Sequence, residues 1–157
     1  MQRVTNCVLM DKHQVLMLQK PSRHWWVAPG GKMEAEESVL DSVTREFWEE
    51  TGVTVKNPMI RGIFTFLIIE KEKTLSEWMM FTFAATAFEG ALLDSSPEGM
   101  LAWQPQEKVL TLPMAEGDRH ILRHILENQG ILYGTFRYTS DYQLISSNLQ
   151  TSGSEGI

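Results

Sequence analysis

Three glutamates, Glu46, Glu49 and Glu50, stand at positions i, i+3 and i+4 of a segment whose apolar residues recur at helical spacing. On an α-helix these positions share one face, so three carboxylates gather within a single turn. Like charges in that arrangement lower helix stability by roughly a few tenths of a kcal/mol per pair. Their place near the helix C-terminus adds to the repulsion, because the macrodipole is negative there. A divalent cation reverses the balance. Mg²⁺ or Mn²⁺ takes hard oxygen ligands from one side and completes its shell with water and phosphate oxygens. For an isolated E-x-x-E-E the competing reading is a solvated acidic face.

The residues around the cluster decide between these readings. From Gly31 to Val53 the chain matches, at all nine defining positions, the pattern G-x5-E-x7-R-E-U-x-E-E-x-G-U, where U is a bulky apolar residue. Chance occurrence at a given start is roughly one in a billion on ordinary residue usage. On these residues the chain resembles the Nudix hydrolases of MutT type, whose members cleave a nucleoside diphosphate linked to a further group. Phe47 stands where an aliphatic residue is commoner, and keeps the position apolar.

The resemblance implies an α/β fold, an α/β/α sandwich with a mixed β-sheet and the motif as loop–helix–loop. It implies that Glu46, Glu49 and Glu50, with the backbone of Gly30, hold Mg²⁺ (or Mn²⁺). Arg45 matches the residue that orients the catalytic glutamates. Glu37 matches the one that steadies the loop, and Gly31 and Gly52 are structural positions of the motif. Lys32 either touches phosphate or is a solvated loop lysine. Many members add a carboxylate from a distant loop; here the candidate is Glu98, in Ser-Ser-Pro-Glu-Gly, with a plain turn carboxylate as its other reading. The mechanism expected is in-line attack of water on phosphorus, with Glu50 or Glu98 as base. Clustered carboxylates titrate as a coupled set, so spacing does not choose between them.

The flanks bear on the substrate. Trp25-Trp26 before Pro29-Gly30-Gly31-Lys32, Leu112-Pro-Met-Ala-Glu116-Gly-Asp118, and Leu132-Tyr-Gly-Thr-Phe136-Arg-Tyr138 together resemble the oxidised-purine nucleoside triphosphatases of the superfamily. That resemblance implies a purine nucleotide substrate, with (8-oxo-)(d)GTP cleaved to monophosphate and pyrophosphate. It places Glu116 and Asp118 near the purine edge, although Asp118 also reads as the N-cap of the helix it opens. Trp25 or Trp26 would stack on the base or pack on its own sheet. A purine-reading asparagine expected just before the Gly-Gly pair is absent. Val27 occupies the place, and Asn6 on the first strand is the candidate to take over. Guanosine alarmones are the alternative substrate. A nucleotide-sensing module without catalysis is the alternative of another class, and the retained glutamates favour the enzyme.

The elements that must position these groups follow from periodicity. Arg3–Met10 and Gln14–Lys20 read as a hairpin around Asp11-Lys-His13, and Pro21 to Lys32 as a loop. Glu36 to Thr51 reads as a helix, with Val39, Leu40, Val43 and Phe47 on its apolar stripe and Gly52 at its end. Ile60–Glu70, Glu77–Phe88, Leu101–Gln104 and Ile131–Tyr138 read as strands, and Asp118–Glu127 as a helix. Interleaving without regular alternation predicts a mixed sheet covered by helices. Residues 1–145 are expected to form a single domain, and 146–157, small and polar, a flexible tail.

Composition narrows the setting. The 157 residues carry 14 basic against 20 acidic side chains, a net charge of −6, which argues against a nucleic-acid polymer as partner. The longest apolar runs fall short of the roughly 20 residues a membrane span needs. A single cysteine, Cys7, excludes an internal disulfide and a cysteine-based zinc site. His120 and His124 at i and i+4 lack a third ligand for zinc. A cytoplasmic enzyme, monomer or homodimer, is expected.

Overall fold

The computed structural model describes residues 1–152. Along the chain run β1 (Gln2–Asp11), β2 (Gln14–Gln19), β3 (Trp26–Val27), β4 (Gly30–Lys32), α1 (Val39–Thr51), β5 (Val53–Lys56), β6 (Met59–Glu70), β7 (Lys73–Ala85), β8 (Ala87–Gly90), β9 (Met100–Pro105), α2 (Gln106–Val109), α3 (Glu116–Glu127), β10 (Leu132–Tyr138) and β11 (Leu144–Thr151). The strands form a sheet in the order β11-β10-β6-β7-β1-β2-β3, with β4 joined to β1 and β9 to β2; β5 and β8 make a separate pair. β1 runs parallel to β7 and β10 parallel to β6, while the other pairings are antiparallel. The sheet is therefore mixed, as the sequence predicts.

Alternation along β1 and β2 splits the core in two. Cys7, Leu9 and Leu16 face α1, where they meet Val43, Phe47, Val53 and Phe83. Val8, Val15 and Met17 face the other way, onto Ile121, Leu122 and Ile125 of α3 and the aromatic rings of Phe64, Phe66, Phe136 and Tyr138. Side chains of successive strand residues point to opposite faces, so one strand feeds both layers. The result is the α/β/α sandwich.

Two hairpins close on non-glycine residues in left-handed conformation, Lys12 and His13 (φ 51° and 64°) and Lys71 and Glu72 (φ 52° and 65°). Two consecutive positive φ angles give a connection whose twist suits the flanking strands. In α1, Ser38 is the N-cap, its Oγ accepting the Asp41 N–H at 3.0 Å, so the helix starts at Val39 and not at Glu36. Leu40, placed on the apolar stripe by spacing, is 49% exposed; Val43 and Phe47 carry the core contact.

The tail expected from Ser146 onward is corrected as far as Thr151. β11 pairs antiparallel with β10 from Tyr138↔Leu144 to Leu132↔Thr151. An edge strand tolerates polar side chains, and its backbone satisfies the β10 edge. Leu149, itself exposed, lies over Gly134, where a Cβ would collide with its Cδ2. Residues 153–157 lie outside the described residues.

Candidate active site

Helix α1 buries Val43 and Phe47 and thereby turns the acidic face toward β4. Arg45 organises that face. Its Nε and Nη2 donate to both oxygens of Glu37 at 2.6 and 2.9 Å, a bidentate pair. Its Nη1 donates to Glu46 Oε1 at 3.0 Å and Glu49 Oε2 at 3.1 Å, and Nη2 also reaches the Lys32 carbonyl at 3.1 Å. Hydrogen bonding from Arg45 and from the Glu34 N–H holds Glu37 at about 2. Arg45 thus ties the loop before the helix to two of the three face glutamates.

Glu50 sits differently. It is 7% exposed, and its Oε1 accepts the Gly30 N–H at 3.0 Å. Burial pushes its carboxyl up to about 7, against the lowering effect of that hydrogen bond and of Lys20. Glu98 lies near enough to add to the rise. The loop carrying Glu98 is closed by Ser96 and Gly99, whose backbones pair, and Lys20 bonds Glu98 across 3.7 Å. The fold therefore brings the distant Glu98 to Glu50, together with a cation, Lys20, that spacing did not single out.

The Gly30–Gly31 pair makes this proximity possible. A Cβ on Gly31 would run into the carboxylate of Glu46, and one on Gly30 into the Thr5 carbonyl and the Asn6 Cα. Gly52 closes α1 in the left-handed region (φ 87°), its N–H bonding the Trp48 carbonyl at 2.8 Å. Lys32 is exposed; its carbonyl, and not its ammonium, is the group bonded into the cluster.

On the other face of the sheet lies a cavity lined by Asn6, Trp26, Val27, Thr82 and Asp118 with apolar walls from β1, β2, β7 and α3. Trp26 is buried there, its backbone N–H donating to the Pro113 carbonyl at 2.8 Å. Trp25 points elsewhere, edge-on to Tyr142 with the Arg23 guanidinium over both rings. Asp118 is not the N-cap of α3: the helix starts at Glu116 and Ala115 holds the cap position. Burial pushes the Asp118 carboxyl up to about 6. Glu116 is separated from this group, exposed and ion-paired with Arg119 at 3.1 Å. Of the residues expected at the base, the structure gathers Asn6, Trp26 and Asp118 and leaves Glu116 outside. Asn6 Oδ1 and Thr82 Oγ1 are buried without a hydrogen-bond partner among the described residues. Such atoms cost about 1–3 kcal/mol each.

The family model of the NUDIX domain matches residues 1–125. The chain belongs to the Nudix family. A Nudix hydrolase of Bacillus subtilis (strain 168), YvcI, is 53% identical over 149 residues, 95% of this chain and 94% of that protein. The crystal structure of the mutator MutT protein from Bacillus halodurans matches with a TM-score of 0.93 at 58% identity, covering 96% of this chain and 98% of that one. Human 8-oxo-dGDP phosphatase NUDT18 is 28% identical over 127 residues, 76% of this chain and 35% of that longer protein. The protein is thus a Nudix hydrolase of MutT type, an enzyme of phosphate anhydrides in small nucleotides.

Nudix hydrolases generally use divalent ions such as Mg²⁺, and the donors of this Nudix box suit one. Three carboxylates share a helix face, and because Gly31 has no side chain the Glu46 carboxylate lies directly against the loop backbone. Among the described residues no three His, Cys, Asp or Glu side chains already converge for an ion, and Arg45 holds Glu46 and Glu49. A cation would exchange with those Arg45 contacts. No helix among the described residues is long and apolar enough to cross a membrane.

Two residues near these sites escaped the sequence reading. Periodicity marks Lys20 only as the end of a strand, and the β2–β9 pairing sets it beside the Glu98 loop. Thr82 was one more strand residue. The parallel pairing that puts it opposite Asn6 joins chain segments 76 residues apart, and no local pattern records it.

Proposed function

We propose that the protein hydrolyses purine nucleoside triphosphates, (8-oxo-)(d)GTP foremost, to the monophosphate and pyrophosphate. One observation carries this reading. Asn6 of β1 is the register partner of Gly30 in β4, and the Gly30 N–H holds Glu50. The cavity and the carboxylate face are therefore joined through adjacent strands about 4.8 Å apart. A nucleotide with its base in the cavity would carry its phosphates toward the Nudix box. The name of one relative, 8-oxo-dGDP phosphatase, supports a guanine nucleotide, there a diphosphate.

Glu46, Glu49 and Glu50, with the Gly30 backbone, would hold Mg²⁺ or Mn²⁺. When bound, the cation supplies charge neutralisation on the phosphoryl oxygens and acidifies water. The protein's residues do the rest. Arg45 and Glu37 fix the loop and the glutamates. Glu50, held by a backbone N–H, accepts the proton of the attacking water, with Glu98 as second candidate. The bond broken joins the α- and β-phosphoryl groups, and pyrophosphate leaves. Lys20, beside Glu50 and Glu98, offsets negative charge gathered there. Trp26 and Asp118 bound the base end. The buried lone thiol Cys7 suits the cytoplasm.

A second reading has its own observation. Val27 lines the cavity where the oxidised-purine enzymes are expected to place an asparagine. This favours guanosine alarmones, whose base is unmodified. A Mg²⁺-dependent panel of 8-oxo-dGTP, 8-oxo-GTP, dGTP, GTP, ppGpp and pppGpp, with products separated by ion exchange, tests the proposal. Preference for the triphosphates with release of pyrophosphate is expected. Preference for the alarmones would transfer the function to them. Binding without turnover of any member would make the protein a sensor.

A further inference from the structure

Asn6 and Thr82 are Cα partners in the parallel pairing of β1 and β7. Both side chains enter the same cavity from one face of the sheet. Thr82 is fully buried, and Asn6 Oδ1 and Thr82 Oγ1 both lack a partner among the described residues. Val or Ile would fill either strand position with no polar atom to satisfy, so two adjacent unpaired groups facing one cavity point to a ligand that completes them. The nearby walls are apolar at Val8, Met80, Ile121 and Leu122, with Asp118 as the further polar lining residue, and neither Asn6 Oδ1 nor Thr82 Oγ1 is bonded to it.

The cavity is ≈ 20 Å³, room for about one water molecule. Met17, Met80 and Met114 line it, and these unbranched, flexible side chains can swing aside to admit a ring. Once inside, a planar heterocycle meets the Asn6–Thr82 pair edge-on.

We propose that Thr82 determines base specificity, forming with Asn6 a hydrogen-bonding edge that selects a purine bearing a lactam, a ring N–H beside a carbonyl. Asn6 Oδ1 accepts from the ring N–H, and the Thr82 hydroxyl donates to the carbonyl. This inference rests on the reading above that the cavity takes the base.

The test is calorimetric titration of the intact protein with inosine 5′-monophosphate and with purine riboside 5′-monophosphate, which lacks the lactam. Wild type should bind the inosine compound about tenfold more tightly or better, as expected for two hydrogen bonds. Thr82→Val should reduce that preference to about threefold or less, weakening the inosine compound more than the purine riboside compound, and leave the melting temperature unchanged or higher. Thr82→Ser, which keeps the hydroxyl, should restore the preference. Equal weakening of both ligands in Thr82→Val would overturn the inference, as would a fall in its melting temperature, which would assign the hydroxyl a structural partner. Equal binding of the two ligands by wild type would overturn it as well. A wild type that shows the preference yet hydrolyses no triphosphate keeps this inference and removes the proposed reaction.

Discussion

At the carboxylate end of the site the charged groups are partnered within the fold. Arg45 bonds Glu37, Glu46 and Glu49, and the Gly30 N–H bonds Glu50. At the cavity end the polar groups are left waiting: Asn6 Oδ1 and Thr82 Oγ1 have no partner among the described residues, and Asp118 lies desolvated among apolar side chains. The first end is organised around charge and can exchange one cation for another. The second is organised around shape, with a polar deficit that an occupant fills. Damage to the first should therefore appear in kcat and damage to the second in binding.

The strongest way to break the contrast is at Arg45. Arg45→Ala should lower kcat by about 10–100-fold, as loss of an orienting partner does around other metal sites. Arg45→Lys should recover little, because an ammonium cannot reproduce the fork that grips Glu37. Steady-state kinetics with a guanosine triphosphate would read both. If Arg45→Ala raised KM alone, the two ends would not be separate.

The adjacent glycines sharpen it further. Gly30→Ala sets a methyl against the β1 backbone, which cannot yield, and should destabilise by about 1–3 kcal/mol in denaturant unfolding. Gly31→Ala meets only the end of the Glu46 side chain, so it should spare stability and reduce turnover. The same lesion one residue apart should thus separate folding from chemistry.

At the cavity end the sign of a pH effect is the check. The Asp118 carboxyl is raised from 3.8 to about 6 in the fold, so the folded protein holds that proton more tightly than the unfolded chain. The stability it contributes is complete below about pH 4 and is lost as pH rises through about 6. Asp118→Asn, which cannot ionise, should therefore be more stable than wild type at pH 7.5 by about 1–3 kcal/mol, and the gap should close near pH 4. Chemical denaturation at the two pH values would show it. The smallest effect is expected at Lys20: its pairing with Glu98 spans 3.7 Å between side chains 37% and 56% exposed. Lys20→Ala should change stability by less than about 1 kcal/mol while altering kcat/KM for the most highly charged substrates.

The two ends were not equally legible in the sequence. Glu37, Arg45, Glu46, Glu49, Glu50 and Gly52 lie within one loop and one helix, so linear spacing already fixes which of them meet. The helical face and a mixed sheet covered by helices were legible for the same reason, since periods of 3.6 and 2 survive in a single strip of sequence; the sandwich itself came from the family resemblance. The cavity draws Asn6 from β1, Trp26 from β3, Thr82 from β7 and Asp118 from α3. Long-range strand pairing and the packing of α3 join those, and neither leaves a periodic trace: Asn6, Trp26 and Asp118 are reached only through the family resemblance, and Thr82 not at all. Reading Asp118 as an N-cap failed because a carboxylate in a first helical turn has the same sequence appearance whether it caps or faces a cavity. β11 was missed because Ser146 to Thr151 are polar apart from Leu149, and edge strands are held by backbone bonds that composition does not show.

The central claim is that chemistry resides on the α1 glutamates and base recognition in the cavity behind them. Glu50→Gln tests it most directly, because glutamine keeps an oxygen to accept the Gly30 N–H and removes only the charge. The measurement is Mg²⁺-dependent hydrolysis of GTP by wild type and variant, alongside titration of each with GMP. A loss in kcat of about 100-fold or more with GMP affinity unchanged is expected. A variant that turns over GTP at close to the wild-type rate would contradict it.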